Sequence, residues 1–158
     1  MLKVPSKFLT RLREPVDWSD LKYAYDNQLV DGQAVIDHAC HILSESGCDN
    51  NDVLAIASAR ETDELKPMID RVVGSLEHSN EHSLKWALIL AAFISEADVP
   101  DKLEAIEDVY SSFDYPEELA QFVRYMPMNG PDLGSKEANE NRMLELLRML
   151  AAEIVASE

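Results

Sequence analysis

Cysteine, glycine and long apolar runs are all scarce in this sequence, and each shortage excludes a class of protein. Two cysteines, Cys40 and Cys48, are too few for a disulfide framework. Cys40 falls on the apolar side of a predicted helix and Cys48 follows a glycine in a predicted turn, so a buried small hydrophobe and an incidental thiol are expected. Five glycines in 158 residues leave no Gly-rich loop to cradle a phosphate, and neither a Walker lysine nor a Gly-x-Ser-x-Gly elbow is present. The longest apolar run is Trp86 to Ile94, nine residues, where a bilayer span needs roughly 20. The segment Met1 to Phe8 lacks the continuous apolar stretch of a signal peptide. A cytoplasmic chain without a membrane partner is expected.

Cations are scarce too. Fourteen Lys and Arg face thirty Asp and Glu, a formal net charge of −16. The surplus is uneven: residues 1–25 carry five basic and three acidic groups, so the acidity belongs to the rest of the chain. A field of that sign repels nucleic acid and anionic lipid, and it attracts cationic proteins over roughly 8–10 Å. Solubility alone is the competing explanation. With hydrophobic residues at 46% and charged ones at 28%, the composition is that of a globular protein rather than a disordered one.

Helical periodicity recurs throughout and strand alternation does not. A short segment near Ser6–Arg13 ends at Glu14-Pro15. Asp17 or Ser19 caps a helix with Trp18, Leu21 and Tyr25 on one side. Asp31-Gly32 makes a turn before a helix over about 33–46, with Val35, Ile36, Ala39, Cys40 and Leu43 inward and Gly47 as its C-terminal cap. Asn51 or Asp52 opens a short helix to Ala59. Thr62 caps another, striped by Leu65, Met68, Ile69, Val72 and Val73 and ended by Gly74. Residues 75–83 are polar, with Ser79 or Asn80 as the next cap.

The segment 84–97 is apolar nearly all round, which places it as a buried central helix. Pro100 is expected at the first position of the following helix, whose inward stripe is Leu103, Ile106, Tyr110 and Phe113. Pro116 repeats the device before Leu119, Phe122 and Val123. A loop from Met126 to Gly134 precedes a last helix capped by Ser135, with Met143, Leu146, Leu147, Leu150 and Ile154 inward. The expectation is an all-α chain, residues 1–158 forming a single domain of about eight helices in consecutive antiparallel hairpins.

Catalytic chemistry finds little support. His38 and His41 stand three apart and His78 and His82 four apart, the latter a spacing used in helical zinc sites. The wheel puts His38, His41 and Glu45 on the solvent side, and nothing in the spacing joins the two pairs. Surface histidines are expected, with no metal, cofactor or catalytic residue. Thirty acids make carboxylate pairs inevitable, and none sits in the apolar setting that would raise a pKa for acid catalysis.

The informative stretch is 96–118, with nine acids against the single cation Lys102. Glu104 and Asp108 form a like-charge i,i+4 pair, unfavourable by about 0.2–0.5 kcal/mol. Glu104, Glu107, Asp108 and Ser111 share one helix face, where an isolated helix would intersperse lysines. An incoming basic surface would convert that repulsion into attraction and speed encounter. A solvated face helped by helix dipoles is the plain alternative. Asp98, Asp101, Glu104, Glu107, Asp108, Asp114, Glu117 and Glu118 are therefore the candidate partner-binding residues.

Around this cluster the strings Lys85-Trp86, then Val109-Tyr110-Ser111-Ser112-Phe113-Asp114-Tyr115-Pro116-Glu117-Glu118, then Phe122-Val123-Arg124-Tyr125-Met126-Pro127 carry a resemblance. They are similar to a bacterial family of domains of unknown function, whose members resemble immunity proteins of polymorphic toxin and contact-dependent growth inhibition systems. That resemblance implies a small protein that binds one cognate toxin domain and blocks its active site or substrate surface, with no catalytic residues. A toxic nuclease, RNase or DNase, is basic because it binds a polyanion, and an acidic inhibitor would compete as a phosphate mimic. A helical adaptor or regulatory protein without a toxin partner is the alternative. The motif residues can be structural, with Arg124 pairing to a neighbouring acid.

Overall fold

The structure, a computed structural model, describes residues 3–46, 51–60, 63–73, 82–124 and 133–156. Among these residues it contains helices and no strand, as the periodicity predicts. The chain divides into two compact units, Leu2–His82 and, apart from Met1, Ser83–Glu158.

In the first unit, α1 (Ser6–Leu9) is a single turn that buries Phe8 and Leu9. It stops short of the expected Arg13, and the Thr10 hydroxyl donates to the Lys7 carbonyl at 2.9 Å. The start of α2 (Trp18–Asp26) is fixed by Asp17, whose carboxylate accepts the Asp20 N–H while the Asp20 carboxylate accepts the Asp17 N–H, a reciprocal capping box. At its other end Gln28 takes a left-handed φ of 61°. The Leu29 N–H then reaches the Ala24 carbonyl at 2.8 Å and the Gln28 N–H the Tyr25 carbonyl at 3.2 Å. These two bonds make a Schellman ending, here with glutamine in the position that usually holds glycine.

Asp31 does more than turn the chain, since its carboxylate accepts the Ala34 N–H at 2.9 Å and caps α3 (Gly32–Ser46). Val35, Ile36 and Ala39 are buried as expected, but Cys40 is exposed. One residue on from Ala39 the helix has rotated about 100°, and the Cys40 thiol lies at the helix edge, 3.7 Å from the Ala57 carbonyl it donates to. Then come α4 (Asn51–Ala57), burying Val53 and Ile56, and α5 (Lys66–Val73), burying Ile69 and Val73. Pro67 in the first turn of α5 forfeits no helical hydrogen bond. α3 packs on α4 and α4 on α5, while α2 packs on α5 and α1 on α3. The Lys22 ammonium adds an ion pair to Asp70 at 3.0 Å. The expected caps Gly47, Thr62, Gly74 and Ser79 or Asn80 lie outside the described residues, with Cys48 and His78.

The second unit begins along α6 (His82–Glu96). Trp86, Ala87, Ile89 to Ala92 and Ile94 are all buried, as an all-round apolar helix requires; only at Leu84 does a large apolar side chain reach 36% exposure. α7 (Lys102–Ser112) starts later than expected. Asp101 is its N-cap, accepting the Glu104 N–H at 3.2 Å, and this leaves Pro100 one residue outside rather than at the first helical position. The capping carboxylate fixes the start here.

After α7, Asp114 and Tyr115 both adopt left-handed φ, 61° and 56°, costly for side chains with a Cβ. Pro116 then leads into a 3₁₀ helix (Glu117–Phe122) rather than the expected α-helix. In 3₁₀ geometry residues i and i+3 eclipse, which stacks Leu119 and Phe122 on one side, both fully buried. Ser135 caps α8 (Lys136–Ile154) as predicted, its hydroxyl accepting the Ala138 N–H at 3.0 Å. The buried line on α8 is Leu147 and Ala151, while Met143, Leu146, Leu150 and Ile154 are only half-buried. The 3₁₀ helix packs against both α7 and α8.

Two stability changes follow, both read by urea denaturation. Asp17→Ala removes the capping box and lowers the unfolding free energy by about 1 kcal/mol. Gln28→Gly relieves the left-handed residue and raises it by about 1 kcal/mol; an unchanged or lowered midpoint would contradict the Schellman assignment.

Candidate acidic interface and its internal clamp

The eight candidate acids divide into two groups. Arg124 draws the first group inward. Its guanidinium donates to both Asp101 carboxylate oxygens, at 2.8 and 3.1 Å, and its Nε donates to Glu140 at 2.5 Å. The Arg124 backbone N–H donates to the Glu107 carboxylate at 3.4 Å. One arginine thereby ties the N-cap of α7, the end of the 3₁₀ helix and the first half of α8. The planar fork of guanidinium suits this two-oxygen contact. The hydrogen bond from Arg124 and that from the Glu104 backbone hold the Asp101 carboxyl below its ordinary value of 3.8. The carboxylates of Asp101, chiefly, and Glu140 push the Arg124 guanidinium up.

Lys102, the stretch's single cation, is turned away from its acidic neighbours. Its ammonium donates to the Ser95 carbonyl at 2.5 Å, in the last turn of α6, where a positive charge meets the negative helix end. The second group is left outside. Asp98, Glu104, Asp108, Asp114, Glu117 and Glu118 are all exposed. Among the described residues no cation pairs with Glu104, Asp108, Asp114, Glu117 or Glu118. Asp101 and Glu107, candidates from the sequence, are half-buried and engaged by Arg124. Tyr115 stands among the free acids at 59% exposure, its ring edge-on to Tyr110 with centroids 5.3 Å apart. The sequence pattern held no signal for this exposed aromatic, which stands at a left-handed backbone position between α7 and Pro116.

Histidine placement departs from the surface positions expected. His82 is buried, and so is Asp20, their Nδ1 and Oδ1 atoms 3.7 Å apart. Ser19 Oγ lies 3.4 Å from His82 Nε2, so a serine, a histidine and an aspartate fall in the order of a hydrolase triad. The geometry does not match that chemistry. Both distances exceed the 2.6–3.2 Å of a working relay, the Ser19 hydroxyl donates to Asp17 at 2.8 Å, and Asp20 is committed to the capping box. The group fastens the start of α2.

His38 is half-buried, its ring edge-on to Trp18 with centroids 4.9 Å apart. Burial lowers its pKa to about 4, with His41 adding to the effect and Asp17 opposing it. His41 itself is exposed. Among the described residues no group of three or more His, Cys, Asp or Glu is placed to hold a metal, and no helix is long and apolar enough to cross a membrane.

The His38 shift sets a pH dependence. The unfolded chain protonates this histidine at its ordinary 6.5, the folded one only at about 4. Between those values the unfolded state holds more protons, so stability falls as pH falls through that window and levels off below it. Denaturation midpoints from pH 7 to pH 4 should show the slope and His38→Phe should reduce it; an equal slope in the variant would assign the loss to other groups. Asp101 acts lower, its contribution present above 3.8 and lost beneath the depressed value.

No curated protein and no solved structure matches the chain. A family model does match, over residues 7–152, nearly the whole length and both compact units. The chain belongs to the bacterial family described as "Uncharacterized protein conserved in bacteria (DUF2247)".

Proposed function

We propose that this chain is a non-catalytic immunity protein, which binds a basic toxin domain, an RNase or DNase, through the exposed acids of α7 and the 3₁₀ helix. The observation that carries the reading is the sorting of charge in the second unit. Arg124 and Lys102 are consumed by internal contacts, and Glu104, Asp108, Asp114, Glu117 and Glu118 are left exposed without a cation. Those acids sit on two elements that pack against each other, so the charge is held on a fixed scaffold. A folded array of carboxylates meets a phosphate-binding surface with little ordering cost, and steering by opposite charge accelerates encounter. Tyr115 supplies the rigid aromatic typical of an interface anchor. Active-site occlusion would then follow from competition with the nucleic-acid backbone.

The test is co-purification with the product of the neighbouring gene, followed by association kinetics. The rate should fall steeply between low and high salt, and Glu104→Lys with Asp108→Lys should slow it by roughly tenfold or more while the thermal midpoint stays close to the parent's. Arg124→Leu should instead lower the midpoint, since it leaves Asp101, Glu107 and Glu140 facing one another. A rate indifferent to salt and to the double reversal would make the acidic face a bystander.

A further inference from the structure

The outer side of α8 carries a pattern of its own. The inner line of this helix is Leu147 and Ala151, both buried. At about 100° per residue, Arg142, Leu146, Met149 and Glu153 fall on the opposite side, along one line with spacings of four, three and four. That is the seam spacing of a two-stranded coiled coil. Met149, in the middle of the line, is 56% exposed, and Leu146 is half-buried. At the ends Arg142 is half-buried and Glu153 exposed. Met143 and Leu150, both half-buried, flank the line on one side.

From end to end the line is basic, apolar, apolar, acidic, so it complements itself when a second copy runs antiparallel. An axis that sets Leu146 opposite the partner's Met149 also sets Arg142 opposite the partner's Glu153, because both pairs are centred on the same point of the helix. Twofold symmetry makes each contact twice, and it brings Met143 alongside the partner's Leu150. Charge favours a second copy over a cationic partner here. α8 carries Lys136, Arg142 and Arg148 against Glu137, Glu140, Glu145 and Glu153. Arg124 takes Glu140, which leaves three against three in a chain of net charge −16, and Arg148 already pairs with Glu145 at 2.6 Å. Two such chains repel at a distance, and a charge-balanced helix is where they can approach without adding to that repulsion. We propose that two copies of this chain pair through α8 in an antiparallel, twofold contact centred between Leu146 and Met149. The line is about 16 Å long, so the contact belongs at the small end of specific interfaces and the dimer is weak and reversible. The toxin reading rests on α7 and the 3₁₀ helix, and neither proposal depends on the other.

The experiment is sedimentation velocity on the full chain alone, at about 0.15 M salt to screen the net charge, from micromolar concentration to about 1 mM. The sedimentation coefficient should rise with concentration toward that of a dimer. Met149→Lys, at the exposed centre of the line, should hold the chain monomeric while circular dichroism stays unchanged. Glu153→Arg sets like charges opposite each other and should weaken association by about tenfold or more. Adding Arg142→Glu to it restores opposite charges and should return the parent's affinity. A parent chain that stays monomeric throughout, which would leave the line to a different occupant, overturns the proposal. So does a dimer that persists in folded Met149→Lys, or a charge swap that associates no better than Glu153→Arg alone. If the swapped chain loses its helical signal, the two single variants at exposed positions decide.

Discussion

Helices shorter than about a dozen residues do not persist in water alone, because nucleation costs more than a few backbone bonds return. Most elements of this chain fall below that length, from four residues in α1 to eleven in α7. Their stability has to come from outside the helix, and two sources recur. Side chains satisfy the orphan backbone groups at the ends, as Asp17, Asp31, Asp101 and Ser135 do. Narrow apolar lines are buried on the inner side, from Leu21 and Ala24 on α2 to Leu147 and Ala151 on α8. A short helix of this kind exists only as part of its unit.

The same constraint explains where much of the negative charge goes. A carboxylate at a helix start is favoured by the dipole and by free N–H groups, so short helices in quantity use many acids. Others are absorbed by contacts across elements, as Glu140 is by Arg124 and Asp70 by Lys22. Of the acids on the outer side of α7 and the 3₁₀ helix, Glu104, Glu117 and Glu118 share that use in first turns, whereas Asp108 and Asp114 do not. Like charges held close on a folded surface oppose compaction, and the surrounding packing has to offset that.

Much of this architecture was legible in the sequence because the period of 3.6 is written in residues such as Leu65, Ile69 and Val73. The all-apolar run after Leu84 announced its own burial. Ends were less legible. Pro100 read as a first helical residue, yet the carboxylate one step later set the start, and competition between two valid start signals is invisible without geometry. The 3₁₀ helix was hidden for a related reason: Leu119 and Phe122 at spacing three suit both helix types. Cys40 and His38 depart from the expectation because a wheel assigns a face by angle alone, and His82 because it stands at the end of a polar stretch. Angle alone does not say which neighbours lie beside the helix, and these cover His38 in part and leave Cys40 exposed. Of the eight acids read as an interface, the sequence could not separate Asp101 and Glu107, since Arg124 lies seventeen or more residues away along the chain.

The sequence contains two tryptophans, and the fold places one in each compact unit: Trp18 beside His38 in the first, Trp86 wholly enclosed in the second. Each half of the chain thereby owns an optical reporter with its own character. The enclosed indole should emit further to the blue than the half-exposed one, which has an imidazole at its edge. Replacing either by phenylalanine isolates the fluorescence of the other. Whether the halves lose their structure together or in succession then becomes a question that one cuvette and a temperature ramp can answer.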